Sequence, residues 1–167
     1  MRLDTLHDLL INQLQDLYCT EQQIYDILPE LAKASHTYDL KKTFEQHFNS
    51  TKNQITRLKK VFRKLEVNYN HQRCEGIEGL INECIRIVKL EGNPAIKDAA
   101  LINVIQKIEH YELDSYNSVR TYARELGYKY IADLLQESVD EENETDKQLV
   151  SLTKGGFYSR STDEDKY

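Results

Sequence analysis

Turn-forming residues are scarce in this chain. Two prolines and six glycines among 167 residues leave too few breaks for the many short strands of an all-β protein. Long apolar runs are missing as well: none approaches the ~20 residues of a membrane span, and the N-terminus lacks the basic, apolar, small-residue order of a signal peptide. A soluble cytoplasmic protein without a membrane partner is therefore expected. An excess of positive charge is also lacking, since the formal charge of -6 argues against a nucleic-acid partner that depends on a basic face. Lys59, Lys60, Arg63 and Lys64 form a local basic cluster that reads as the solvated side of a helix. The three cysteines, Cys19, Cys74 and Cys84, are odd in number and have no zinc-type spacing. Neither a disulfide framework nor a structural zinc site is expected; reduced thiols are, with Cys19 a small buried filler.

What is present is helical periodicity, in a chain with 30% charged and 40% hydrophobic residues. Leu3, Leu6, Leu10, Leu14, Leu17, Glu21, Ile24, Leu28 and Leu31 recur in steps of three and four, the pattern of a long amphipathic helix. Glu21 falls on its apolar seam, and Pro29 predicts a kink or short break near Tyr25 to Leu28. After a connection at Ser35 to Asp39, with Ser35 or Thr37 as N-cap, a second helix is expected from about Tyr38 to Leu65, carrying His47 on its stripe. So short a connection makes these two helices antiparallel. Glu66 to Glu75 reads as a loop and Gly76 to Leu90 as a shorter helix, which can serve as a crossover. A third long helix is predicted from Pro94 to Leu126, stopped by Gly127, and a fourth from about Tyr128 to Leu152. Residues 1–154 thus form one all-α domain of two antiparallel hairpins, and residues 155–167, without periodicity, read as a disordered tail.

The stretch Gln106 to Tyr116, QKIEHYELDSY, carries the chemistry. Its Glu109 and Glu112 lie three residues apart on one helix face, and the stripe from Ala99 and Ile102 to Tyr116, Val119 and Ala123 makes that face the apolar one. Two inward carboxylates must be neutralised, paired or bound to a cation. Residues equally distant from the turn at Gly127 should be level, which sets Glu112 against Glu142 and Glu109 against Asp146. In the first hairpin Glu21 should be level with Ser50 to Gln54, with His47 a turn nearer the loop, and pseudo-twofold symmetry would pair Glu142 with Ser50. Acids converging from several helices are how di-iron and di-manganese carboxylate centres are built, because two hard cations need bridging oxygens and compensating charge. The alternative is a protonated or water-filled polar core.

The segments DLYCTEQQI, His47 followed by Thr51 and QITRL, CEGIEGLINE, DAALINVIQKIEHYELDSY and ELGYKYIADLLQESVDEENETDKQL resemble, in order and over nearly the whole chain, the YciE/YciF-like branch of the ferritin-like superfamily. The resemblance implies a ferritin-like four-helix bundle with a crossover helix, related to rubrerythrins, and a stress-associated homodimer. It also implies metal ligation by Glu21, His47, Glu109, Glu112, Glu142 and Asp146; the reading that follows is a centre holding iron or manganese that handles peroxide or oxidises Fe(II). With no rubredoxin-like module in the chain, an electron donor would be external. One departure is Ser50, where the family usually carries glutamate; the site would then hold one metal instead of two, use His47 to compensate, or be vestigial. A non-enzymatic helical dimer acting through protein partners is the competing reading.

Overall fold

A computed structural model describes residues 3–69 and 74–154, and all of its regular structure is helical. Five helices run α1 (Leu6–Ala34), α2 (Tyr38–Lys64), α3 (Glu75–Lys89), α4 (Pro94–Glu125) and α5 (Lys129–Lys154). The boundaries follow local chemistry. Thr5 and Asp8 form a reciprocal capping box at the start of α1. Asn93 accepts from the amides of Ala95 and Ile96, and Pro94 occupies the first turn of α4, where no N–H is missed. Gly127, at φ +75°, closes α4: its N–H donates to Arg124 O and that of Tyr128 to Ala123 O, the paired bonds of a Schellman turn. α2 ends in the same way with Glu66, at φ 57°, in the left-handed position.

α1 continues through Pro29 without the break its sequence suggests. Thr37 occupies the N-cap position of α2, yet its side chain makes no capping bond. That work is done from α4. The fully buried Asp98 accepts from the backbone N–H groups of His36 at 2.7 Å and Thr37 at 2.8 Å, tying the α1–α2 turn to the opposite hairpin. The expected tail at 155–167 lies outside the described residues, as do residues 70–73 of the expected loop.

α1 pairs with α2 and α4 with α5; α2 also packs on α5 and α1 on α4, which closes a four-helix ring, while α3 crosses over against α1 and α4. This is the ferritin-like architecture. Its apolar interior is in two parts. One contains Ile24, Leu28, Phe44, Ile77, Ile105, Ile108 and Leu149; the other contains Leu14, Leu17, Leu58, Phe62, Val119, Leu135 and Val139. Side chains of α1, α2, α4 and α5 form a polar layer in which Glu21, Thr51, Gln54, Glu109, Glu112, Ser138 and Glu142 are 0% exposed and His47 is 1% exposed.

The expectation of three reduced thiols is corrected: Cys19 and Cys74 form a disulfide, and Cys84 remains a free, buried thiol. Spacing along the chain could not reveal this pair, because only the crossover brings residue 74 back to α1, with 6.0 Å between the two Cα atoms. Among the described residues, no helix is long and apolar enough to cross a membrane.

Candidate metal centre

Three helices supply the core of the polar layer. Glu109 and Glu112 project from one face of α4, His47 comes from α2 and Glu142 from α5. His47 Nδ1 lies 3.1 Å from Glu109 Oε1, and His47 Nε2 lies 3.8 Å from Glu112 Oε2 and 4.0 Å from Glu142 Oε2. One potential ligand atom from each of the four residues falls within 4.8 Å of the other three. The sequence places these groups on the inner stripe simply by helical repeat, with Glu142 a heptad from both Leu135 and Leu149, which are themselves fully buried.

Burial governs the protonation of the cluster. It raises Glu109 and Glu112 well above the usual carboxyl range, an effect reinforced by the charge of Glu142. Glu142 itself is raised to about 7, again by burial. Burial lowers His47 to about 4, so at neutral pH its imidazole is uncharged and offers a lone pair. Both nitrogens of His47, both oxygens of Glu112 and Oε2 of Glu142 have no hydrogen-bond partner among the described residues. Buried polar atoms without partners are costly unless something satisfies them. A neutral imidazole and three carboxylates are a donor set suited to a divalent first-row cation.

The other side of the layer is arranged differently. Glu21 from α1 accepts a hydrogen bond from the Tyr116 hydroxyl, which in turn is hydrogen-bonded to Ser138. Ser138 Oγ accepts from Arg57 Nη1 at 2.8 Å, and Arg57 also pairs with Glu141 at the surface. Gln54 Nε2 donates to Glu142 Oε1. Burial first, then the negative charge of Glu142, raises Glu21 well above its ordinary value.

The six residues singled out from the sequence therefore fall into three groups. His47, Glu109, Glu112 and Glu142 come together. Glu21 is fully buried in the same layer but engaged with Tyr116. Asp146 is half-buried beside the cluster, with Oδ1 3.5 Å from His110 Nε2, because the inward position on that turn of α5 belongs to Thr145. Ser50 is half-buried and absent from the cluster; the α2 side chain that hydrogen-bonds Glu142 is Gln54. The signal for Gln54 was present: it lies a heptad after His47 and four residues before the buried Leu58.

Fold and cluster together define a ferritin-like helical bundle with a buried carboxylate–histidine group. The chain belongs to the family described as a domain of unknown function (DUF892), which matches residues 5–161. It is 36% identical over 153 residues to Protein YciF of Escherichia coli (strain K12), covering 91% of this chain and 92% of that one. The crystal structure of the E. coli stress protein YciF superposes with a TM-score of 0.90 at 34% identity, covering 94% of this chain and 99% of the other. YcfI from Rhodopseudomonas palustris matches with a TM-score of 0.84 and 34% identity, over 87% and 93% of the two chains. A protein from Xanthomonas campestris pv. campestris shares the fold, with a TM-score of 0.71 at 19% identity over 93% and 97% of the two chains.

Proposed function

We propose that this is a stress-associated, metal-binding bundle in which His47, Glu109, Glu112 and Glu142 hold iron or manganese and Glu21 completes the layer. The observation that carries this reading is the convergence of the four groups, one ligand atom of each within 4.8 Å of the rest, in a buried layer where several polar atoms lack protein partners. The resident metal would supply the redox couple for acting on peroxide or oxidising Fe(II), with electrons drawn from a donor outside the chain. The residues themselves contribute in separable ways. Neutral His47 donates a lone pair, the acids give up their protons as a cation enters, Gln54 orients Glu142, and the two apolar core regions restrict water.

A single-ion site is favoured over a dinuclear one by a specific contact: Gln54 is neutral and engages an oxygen of Glu142, while Tyr116 engages one of Glu21. In the extreme form of this reading the site is a remnant and the bundle acts as a cytoplasmic homodimer through its outer faces. Anaerobic titration with Fe(II) and with Mn(II), followed by metal analysis of the desalted protein, tests the assignment. About one ion per chain with peroxide consumption supports it, two ions restore the dinuclear reading, and none in either titration overturns it. Solution mass by light scattering tests the homodimer.

A further inference from the structure

The Cys19–Cys74 disulfide joins the middle of α1 to the residue that caps the N-terminus of α3, and its two sulfurs are chemically unequal. Cys74 is the N-cap of a 15-residue helix and makes no side-chain capping bond. A thiolate released there would face the free N–H groups and partial positive charge of the helix start. Gln23 Nε2 adds a donor 2.8 Å from Cys74 Sγ, against 3.7 Å from Cys19 Sγ. Cys19 has no helix start beside it. It instead lines an open cavity of about 680 Å³ with Lys52 and Lys59, which attract an anionic thiol, and Asp26, which opposes it. Both cysteines are buried, and of the two it is Cys19 that lines this opening.

Thiol–disulfide exchange runs fastest when the attacked sulfur is reachable and the departing thiol has the lower pKa. We propose that Cys19–Cys74 is a thiol-exchange site, attacked at Cys19 and released at Cys74, whose opening uncouples the crossover helix from α1. The incoming thiolate forms a bond to Cys19 Sγ as the protein S–S bond breaks, and the electron pair leaves with Cys74 Sγ, which takes up a proton. A second thiol then attacks the mixed disulfide and frees Cys19, which is protonated in turn. The two reductant thiols depart as a disulfide, so they lose two electrons and the protein gains two. Of the fifteen residues of α3 only Ile77, Cys84 and Ile87 are buried, with Leu80, Ile81 and Val88 packed half-buried on the same core, so the disulfide is the covalent tie on an otherwise short, one-sided helix. Its first turn also rests on α4, where a Cβ added at Gly76 would lie 2.6 Å from the hydroxyl of Tyr111, between Glu109 and Glu112 in sequence. In a reducing compartment a disulfide is a transient redox element and not a permanent tie.

The test exposes the folded, air-oxidised full chain to glutathione at neutral pH, quenches with acid and maps the peptides by mass spectrometry. Glutathione should be found on Cys19, with Cys74 as a free thiol. Cys84 serves as internal control, because a free thiol offers glutathione no S–S bond to attack and it should stay unmodified. Gln23→Leu should slow adduct formation by roughly tenfold, the loss of one hydrogen bond to a charged sulfur. Amide hydrogens of residues 75–89 should exchange at least about tenfold faster after dithiothreitol treatment, with those of α4 and α5 unchanged. An adduct on Cys74, no adduct before denaturant is added, or equal α3 exchange in the two redox states would overturn the proposal.

Discussion

The two sides of the polar layer are equally buried but differently satisfied. Around His47, Glu109 and Glu112, polar atoms converge without protein partners, whereas at Glu21 one oxygen accepts from the hydroxyl of Tyr116, which links through Ser138 to Arg57, and only the second oxygen is left open. Glu142 belongs to both sides, one oxygen held by Gln54 and the other without a partner. The difference teaches that burial of a carboxylate does not by itself mark a ligand. A group whose hydrogen bonds are met from within is already stabilised, and one left open is stabilised by what arrives.

The strongest test of this contrast is Glu109→Gln combined with Glu112→Gln. Removing two of the four donors should lower Fe(II) or Mn(II) affinity by at least about 100-fold in calorimetric titration. The metal-free protein should become more stable by about 1–4 kcal/mol in chemical denaturation, because two buried acids have gone. Loss of stability without loss of metal affinity would reverse the assignment of the open side.

pH offers the next lever. The folded-state values of Glu21, Glu109, Glu112 and Glu142 are raised, so the folded chain holds these protons more tightly than the unfolded one. Their stabilising contribution is complete below the unfolded value near 4.5 and declines above it as pH rises through the raised folded values, for Glu142 through about pH 7. Lowered His47 works oppositely, costing stability as pH falls from its ordinary 6.5 toward about 4. Above pH 6.5 the acids act alone, and the melting temperature of metal-free protein should fall between pH 6.5 and 8. With saturating Mn(II) the slope should invert, because cation binding requires the protons to leave.

Gln54→Glu probes the closed side directly. It puts a fourth acid against Glu142 and should destabilise the metal-free chain by about 1–3 kcal/mol. If the side is closed only by this amide, metal stoichiometry should rise from one to two. Tyr116→Phe is the mildest change. Deleting one hydroxyl leaves an oxygen of Glu21 unpartnered and should cost about 1–2 kcal/mol in denaturant unfolding, with metal affinity at His47 and Glu112 changed less than about threefold.

Much of this was legible from residue order. The five helices begin and end within a few residues of where Pro94, Gly127 and the apolar steps place them, because these signals act within one or two turns. The pair Glu109 and Glu112 was visible for the same reason: both interrupt a stripe whose other members are buried. Other features depend on which distant groups meet. Asp98 caps a turn 61 residues earlier, and nothing in its own neighbourhood announces that. Level-counting from the turn at Gly127 brought Glu142 to the pair, yet it assigned Asp146 a partner without asking which way that side chain leaves α5.

By itself, then, the sequence determined an all-helical bundle, its hairpins and the acids on its inner stripes, since hydrophobic period and capping are short-range properties of a chain. Only the tertiary structure decided that Gln54 and not Ser50 meets Glu142, that Tyr116 occupies Glu21, and that Cys74 returns to Cys19. The reason is geometric: an inward side chain is specified by its own helix, but its partner is specified by how separate helices rotate and slide as they pack.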